Sequence, residues 1–292
     1  MPYFSVVLIT YNRADLLPRC IDSVINQTYK DWELIIVDNH SEDGSKELIE
    51  DYMSRDNRIS LIQVHNNNVL AYSRNVGIKA AKGKYICILD SDDWYTLDKL
   101  QKVYDVCQQK EYDVIYNRYR LMSSKGKGRV CGKPLTWDNK FYEILIVGTI
   151  ICNTTVVVKK EAVESVGYLS EEPSLRAVED NDLWLRLAKD NRSFFYINEC
   201  LGYYWIGNNM SYSPKQVTQL TNLYNKFIPD IEPEKLEDCL SCRDFTIGRI
   251  YHKIGEFNLA IDNYQKVISS QKGMKKVHTY LLILLARIKQ RV

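Results

Sequence analysis

The stretch CILDSDDW, residues 87–94, sets three carboxylates, Asp90, Asp92 and Asp93, into four positions directly after an apolar run. At neutral pH these charges repel one another unless positive charge lies close by. Two readings follow. Either water and the chain's own Lys and Arg solvate them, or the site takes a cation. A second acidic group, Glu179, Asp180 and Asp182, stands at the start of a helical pattern, where the helix dipole alone would favour it. Three more polar clusters follow apolar runs: Thr10-Tyr11-Asn12-Arg13, Asp38-Asn39 and His65-Asn66-Asn67-Asn68.

The elements that must position these groups are short and regular. FSVVLIT (4–10), ELIIVD (33–38), ISLIQV (59–64) and YICILD (85–90) are rich in Val and Ile and read as strands buried on both faces. Between them, residues 14–27, 43–56, 70–82 and 96–110 carry helical spacing, as in Leu17, Ile21, Val24 and Ile25. This βαβα alternation predicts an α/β fold with a mostly parallel central sheet and helices on both faces. Ligands of such sheets bind beyond the carboxyl ends of the strands. The four polar clusters sit at those ends, so they gather on one rim as a pocket. Further along, SSKGKGRVCGKP (123–134) reads as a Gly- and Lys-rich loop, TTVVVKK (154–160) as a strand, and 177–190 as a helix with an acidic first turn.

With 292 residues, 45% hydrophobic and 26% charged, the chain has ample material for one large domain and a smaller one. The division falls at residues 1–210 and 211–292. The net charge of +2 makes no case for nucleic acid, but residues 211–292 hold 13 Lys and Arg against 8 Asp and Glu. After Asp262 there are seven basic residues and no acid. Of eight cysteines, only Cys239 and Cys242 form a CxxC, and no second pair completes a zinc site. No basic segment precedes the first apolar run, as a signal peptide would require. No stretch approaches the roughly 18 apolar residues of a membrane span, so the chain is expected in the cytoplasm. RIYHKIGEFNLAIDNYQKVI (249–268) reads as a helical hairpin around a Gly turn, similar to one tetratricopeptide unit. The last helix joins the apolar run Tyr280–Ala286 to Lys275, Lys276, Arg287, Lys289 and Arg291. It can lie on an anionic membrane, dock on a partner, or cap the chain's own core with Leu281, Leu282, Leu284 and Leu285.

SVVLITYNRADLLPRCIDSVINQTYKDWELIIVDNHSEDGS, AYSRNVGIKAAKGKYICILDSDDW and VEDNDLWLRLA together resemble a family 2 glycosyltransferase of the GT-A fold over about residues 4–205. The resemblance implies inverting transfer of a sugar from a nucleotide-diphosphate donor, a UDP-sugar, to a glycan or lipid-linked acceptor in bacterial polysaccharide biosynthesis. It implies a divalent metal, Mn²⁺ or Mg²⁺, on the DxD motif Asp90-Ser91-Asp92, with Asp92 the direct ligand and Asp90 nearer the ribose. Asp93 then caps the following helix. Thr10, Tyr11, Asn12 and Arg13 match the nucleotide-binding turn. Asp38 and Asn39 match the pair that reads the base edge, with Asn39 standing where many relatives carry Asp. Arg74, with its planar fork, is matched to the phosphate oxygens. Asp180 matches the catalytic base, Glu179 its support, and Trp184 packs the helix. The stretch YYWIGNNMS (203–211) lacks the His found there in relatives, which leaves Asn208, Asn209 or water to complete the metal shell. Two rivals remain at this stage. A sugar-1-phosphate nucleotidyltransferase would want a Gly-rich turn after the first strand, which TYNRADLL lacks. A non-catalytic nucleotide-binding scaffold would have no use for Asp92, Asp180 and Arg74 together.

Overall fold

A computed structural model describes residues 1–148, 151–207, 213–271 and 273–290. They fall into two compact units. The first comprises 1–135, 150–171 and 179–207; the second comprises 136–149, 172–178 and 208–292, so it takes in two segments that the sequence assigns to the first domain.

The first unit opens with β1 (Phe4–Thr10), α1 (Leu17–Ile25), β2 (Trp32–Asp38), α2 (Ser45–Arg55), β3 (Ile59–Gln63), α3 (Leu70–Ala80) and β4 (Tyr85–Asp90). The four strands are parallel in the order β3-β2-β1-β4. All seven residues of β1 are buried, as a strand covered on both faces must be. One face carries Phe4, Val6, Leu8, Leu34 and Ile36 against Leu17, Cys20, Ile21 and Val24 of α1 and Ile49 of α2. Each such apolar side chain contributes about 1.5–3 kcal/mol on burial. The other face packs α3, and there Gly77 is required: an added Cβ would stand 2.4 Å from Val7 Cγ1. The backbone of α3 thus lies directly on the sheet.

The sheet then turns mixed. β5 (Trp94–Tyr95), α4 (Lys99–Gln109), β6 (Val114–Ser123), β7 (Gly126–Cys131), α5 (Lys140–Val147), β8 (Val157–Lys159), α6 (Lys160–Ser165), α7 (Glu179–Lys189) and β9 (Phe194–Trp205) follow in the chain. β8 joins β4 to β6 with antiparallel pairing on both sides, and β9 runs parallel to β6. Two expectations are corrected here. The segment 123–134 is no open loop: β7 pairs with β6 as a hairpin whose turn is Ser124-Lys125, and Gly126, at φ +103°, opens β7. Glycine and lysine suit an exposed edge strand, which is why the composition alone suggested a loop. The strand expected over 154–160 is shorter, since 153–155 form a 3₁₀ turn and α6 begins at Lys160.

The second unit is helical. It holds α5, then α8 (Pro214–Phe227), α9 (Pro233–Ile254), α10 (Phe257–Val267) and α11 (Gly273–Gln290). Tyr224 donates to the Leu145 carbonyl at 2.8 Å, and the Glu232 amide donates to the Tyr142 hydroxyl at 2.8 Å. α9 and α10 form a hairpin around Gly255, at φ +88°. Ala260, Ile261 and Tyr264 of α10 close a small core with Leu282, Ile283 and Ala286 of α11.

Candidate active site

Strand register assembles the rim. Thr10 pairs with Asp38, Asp38 with Gln63, and Asp90 lies opposite Ile9, so the ends of β1, β2, β3 and β4 stand side by side. Asp90, Ser91 and Asp92 begin where β4 stops. Asp92 is partly buried, and burial, with Asp90 close by, raises its carboxyl to about 6. Among the described residues, nothing donates a hydrogen bond to that carboxylate from a side chain. Asp90 gives one oxygen, Oδ1, to Arg74 at 2.7 Å. A crowded, undercompensated pair of carboxylates fits a hard cation whose remaining positions go to phosphate and water. Asp92 and Asp90 are the residues that would hold it; among the described residues no cluster of three protein ligands forms.

Asp93 does something else. It is buried, it accepts from Thr154 Oγ1, and it accepts from the Trp205 amide at 2.8 Å. Burial first, then Asp92 and Asp90, push its carboxyl well up. It therefore caps no helix, as the sequence had suggested. The α4 N-terminus lies at Asp98, without a side-chain cap, and Asp93 ties the acidic turn to the end of β9.

Arg74 also departs from expectation. Its guanidinium is buried, with one terminal nitrogen on Asp90 and the other on Glu179, each at 2.7 Å. Burial alone would lower its pKa, but Asp90 and Glu179 outweigh that and raise it. Both terminal nitrogens of the fork are engaged by carboxylates, while the buried Nε has no hydrogen-bond partner. Arg74 connects the acidic turn to the start of α7.

At that start Glu179 is buried, while Asp180 keeps an exposed edge and accepts from the Asn181 amide at 2.7 Å. Burial and the neighbouring Glu179 carry the Asp180 carboxyl up to about 7, against an opposing pull from Arg74. Trp184 lies one turn on, fully buried. Asp182 is buried on Arg186 at 2.8 Å and so belongs to the helix rather than the rim.

The turn after β1 is held open by its neighbour. Asn12 adopts φ +49°, donates its amide to Ser41 Oγ at 2.8 Å, and accepts from the Glu42 amide at 2.8 Å. The Arg13 amide bonds Ser45 Oγ at 3.2 Å. Thr10 is buried with an unpartnered hydroxyl, and Tyr11 is exposed above it. Asp38 is fully buried, accepting from the Ser41 amide and hydroxyl and from Gln63 Nε2 at 3.3 Å. Asn39 Oδ1 accepts from the Asn66 amide at 2.8 Å. That bond assigns Oδ1 as the acceptor and leaves Nδ2 as a donor.

Three features escape a reading of the sequence. Arg19 of α1 stacks on Trp94 at 3.7 Å and on Trp205 at 4.9 Å, and it donates to the Asp92 carbonyl at 2.9 Å. His40 and His65 stack at 3.9 Å on the β2–β3 side of the rim. Lys99 is fully buried, donates to the Thr154 carbonyl at 2.6 Å, and is pushed down by burial to about 8. Their partners lie far off in the chain, so no local spacing marks them. Asn208 and Asn209, the expected oxygen donors, lie outside the described residues.

Residues 5–167 match the family described as Glycosyl transferase family 2. A Bacillus subtilis chain named for a glycosyltransferase role in teichuronic acid biosynthesis, TuaG, is 31% identical over 218 residues, 73% of this chain and 83% of its own. An uncharacterized glycosyltransferase of Haemophilus influenzae is 28% identical over 290 residues, 97% of this chain and 95% of its own. Among solved structures, S. aureus TarS 1–349 in complex with UDP superposes with TM-score 0.66 at 18% identity, covering 99% of this chain and 88% of that one. The mannosyltransferase PcManGT of Pyrobaculum calidifontis, in complex with GDP-Man and Mn²⁺, gives TM-score 0.65 at 15% identity, covering 98% and 80%. With the rim geometry and the sheet order, these likenesses establish the chain as a GT-A-fold glycosyltransferase belonging to glycosyl transferase family 2.

Proposed function

We propose that this glycosyltransferase moves a sugar from a UDP-sugar to a hydroxyl of a glycan or lipid-linked acceptor in bacterial polysaccharide synthesis, with inversion. The observation that carries the reading is the line Asp92, Asp90, Arg74, Glu179, Asp180, which joins a cation-accepting turn to a carboxylate raised to about 7. A general base works best when its pKa lies near the working pH. Asp180 fits that requirement. On this reading Asp180 accepts the acceptor's proton as its oxygen attacks the anomeric carbon from the face opposite the diphosphate. Glu179, held by Arg74, fixes the first turn of α7 so that Asp180 faces the reacting centre.

Asp92 and Asp90 would hold Mn²⁺ or Mg²⁺, which when bound would supply neutralisation of the charge that develops on the leaving diphosphate. TarS and PcManGT carry UDP and GDP-Man with Mn²⁺ respectively, so related folds hold either nucleotide. The preference for uracil rests on Asn39 Nδ2, a donor suited to a pyrimidine carbonyl. Thr10, Tyr11, Asn12 and Arg13 line the ribose and diphosphate side, with Ser91 supplying a small hydroxyl in the acidic turn. A polysaccharide acceptor is supported by the teichuronic acid role named for TuaG. A nucleotide-sugar donor places the work in the cytoplasm, and no described helix is long and apolar enough to cross a membrane.

The test is UDP release from a panel of nucleotide sugars, with the anomeric configuration of the product read by NMR. Release should stop in EDTA, return with Mn²⁺ or Mg²⁺, and be absent in Asp92→Ala. Undiminished turnover in EDTA after exhaustive dialysis would remove the metal from the reading, and a product of retained configuration would remove Asp180 as base.

A further inference from the structure

α11 has two apolar faces, and only one is used. Leu282, Ile283 and Ala286 are buried against α10. Val277, Tyr280, Leu281, Leu284, Leu285 and Ile288 keep between 49% and 54% of their surface exposed, and Met274 keeps 80%. With 3.6 residues per turn, 274, 277, 281, 284 and 288 fall on one stripe on the side away from the buried residues. The same geometry sets Lys276 and Arg287 on one flank of that stripe and Lys289 on the other, with Lys275 in the first turn on the α10 side. The sequence had left open whether the apolar run faces core or surroundings; the structure divides it, with Leu282 inward and Leu281, Leu284 and Leu285 outward.

We propose that this stripe is a docking surface for an anionic lipid bilayer, on which α11 lies in the plane of the interface. A second copy of the chain is the obvious rival, because the 3–4 spacing is also that of a coiled-coil seam. Charge decides between them. α11 contains no Asp or Glu, and none occurs anywhere after Asp262. Two copies paired on this face would bring Lys and Arg together with no acid to answer them, over a helix of only 18 residues. Anionic headgroups answer every one of those charges, while the leucines enter the acyl boundary and the long basic side chains reach outward along both borders. The helix is basic and amphipathic but too polar to span, which is the pattern of an interfacial helix.

The test uses the full chain and vesicles, and it needs no sugar donor, so its outcome is independent of the transfer reaction. The protein should sediment with phosphatidylcholine vesicles that contain phosphatidylglycerol at about 0.1 M salt, where the screening length is about 10 Å, and be released at about 1 M. It should ignore pure phosphatidylcholine. The double variant Arg287→Glu/Lys289→Glu should bind at least tenfold more weakly, since each basic residue near such a surface is worth about a fivefold change. Leu281→Asp/Leu284→Asp should abolish binding and leave the melting temperature unchanged, because both side chains are exposed. Equal binding to neutral vesicles, or none to anionic ones, would overturn the proposal. So would a dimer in sedimentation equilibrium that Leu281→Asp/Leu284→Asp dissolves, since that result assigns the stripe to a second copy.

Discussion

Asp180 and Arg74 concentrate the chemistry at the residue scale, and each makes a separable prediction. Asp180→Asn removes a base without changing shape, so kcat should fall by roughly 10²–10⁴-fold. UDP affinity, measured by calorimetry, should hardly move, because the proposed role faces the acceptor. Weakened UDP binding with normal turnover would reverse that assignment. The base works only when ionised, so in the wild type kcat/KM should climb as pH rises through about 7 and level off above it. Arg74→Met leaves Asp90 and Glu179 facing each other without their shared cation. Removing one partner from a buried ionic cluster costs about 3–5 kcal/mol. Stability should therefore fall together with activity, whereas a phosphate-binding arginine exposed on the rim would have lost only donor affinity.

At the scale of elements, the position of Arg74 depends on α3 lying flat on β1. Gly77→Ala would drive a methyl into Val7, and such overpacking costs about 1–3 kcal/mol. Because Arg74 sits one turn before Gly77, the same variant should also lower kcat, read beside urea unfolding; a loss of stability with full activity would show that α3 relaxes without moving Arg74. The parallel half of the fold was legible in the sequence because each strand is a short Val- and Ile-rich run followed by a helical stripe, and that pattern is local. The acidic turn and the start of α7 were legible for the same reason, as dense carboxylates at element ends. What stayed hidden was long-range pairing. Arg19 meets Trp94 and Trp205, and Asp93 meets Thr154 and Trp205, across separations that no periodicity reports. The pairing of Arg74 with Asp90 and Glu179 was hidden likewise, because only the fold brings the three together. β7 was hidden by composition, since an exposed edge strand of Gly and Lys looks like a loop.

For the molecule as a whole, the acidic rim makes stability depend on pH in a direction opposite to ordinary acid unfolding. Asp92 and Asp180 bind their protons more tightly when folded, at about 6 and about 7, than the usual carboxylate value near 3.9 in the unfolded chain. Between about pH 4 and 7 the native state therefore holds more protons than the unfolded one, and its stability falls as pH rises. Their contribution is fully present below about pH 4 and lost above about pH 7. Lys99 has the opposite sign: its pKa, lowered to about 8, adds stability only as pH climbs beyond that value. The metal-free protein should accordingly melt a few degrees lower at pH 7.5 than at pH 5.5, since about 1 kcal/mol moves Tm by about 2–4 °C in domains of 150–250 residues. A cation on Asp92 and Asp90 neutralises the repulsion that causes the loss, and it binds only the ionised carboxylates. The rise in Tm on adding Mn²⁺ should thus be small at pH 5.5 and larger at pH 7.5. In Asp92→Asn both the slope and the metal effect should shrink, which differential scanning fluorimetry would show. A metal effect of equal size at both pH values, or one that survives in Asp92→Asn, would place the cation elsewhere than on this turn.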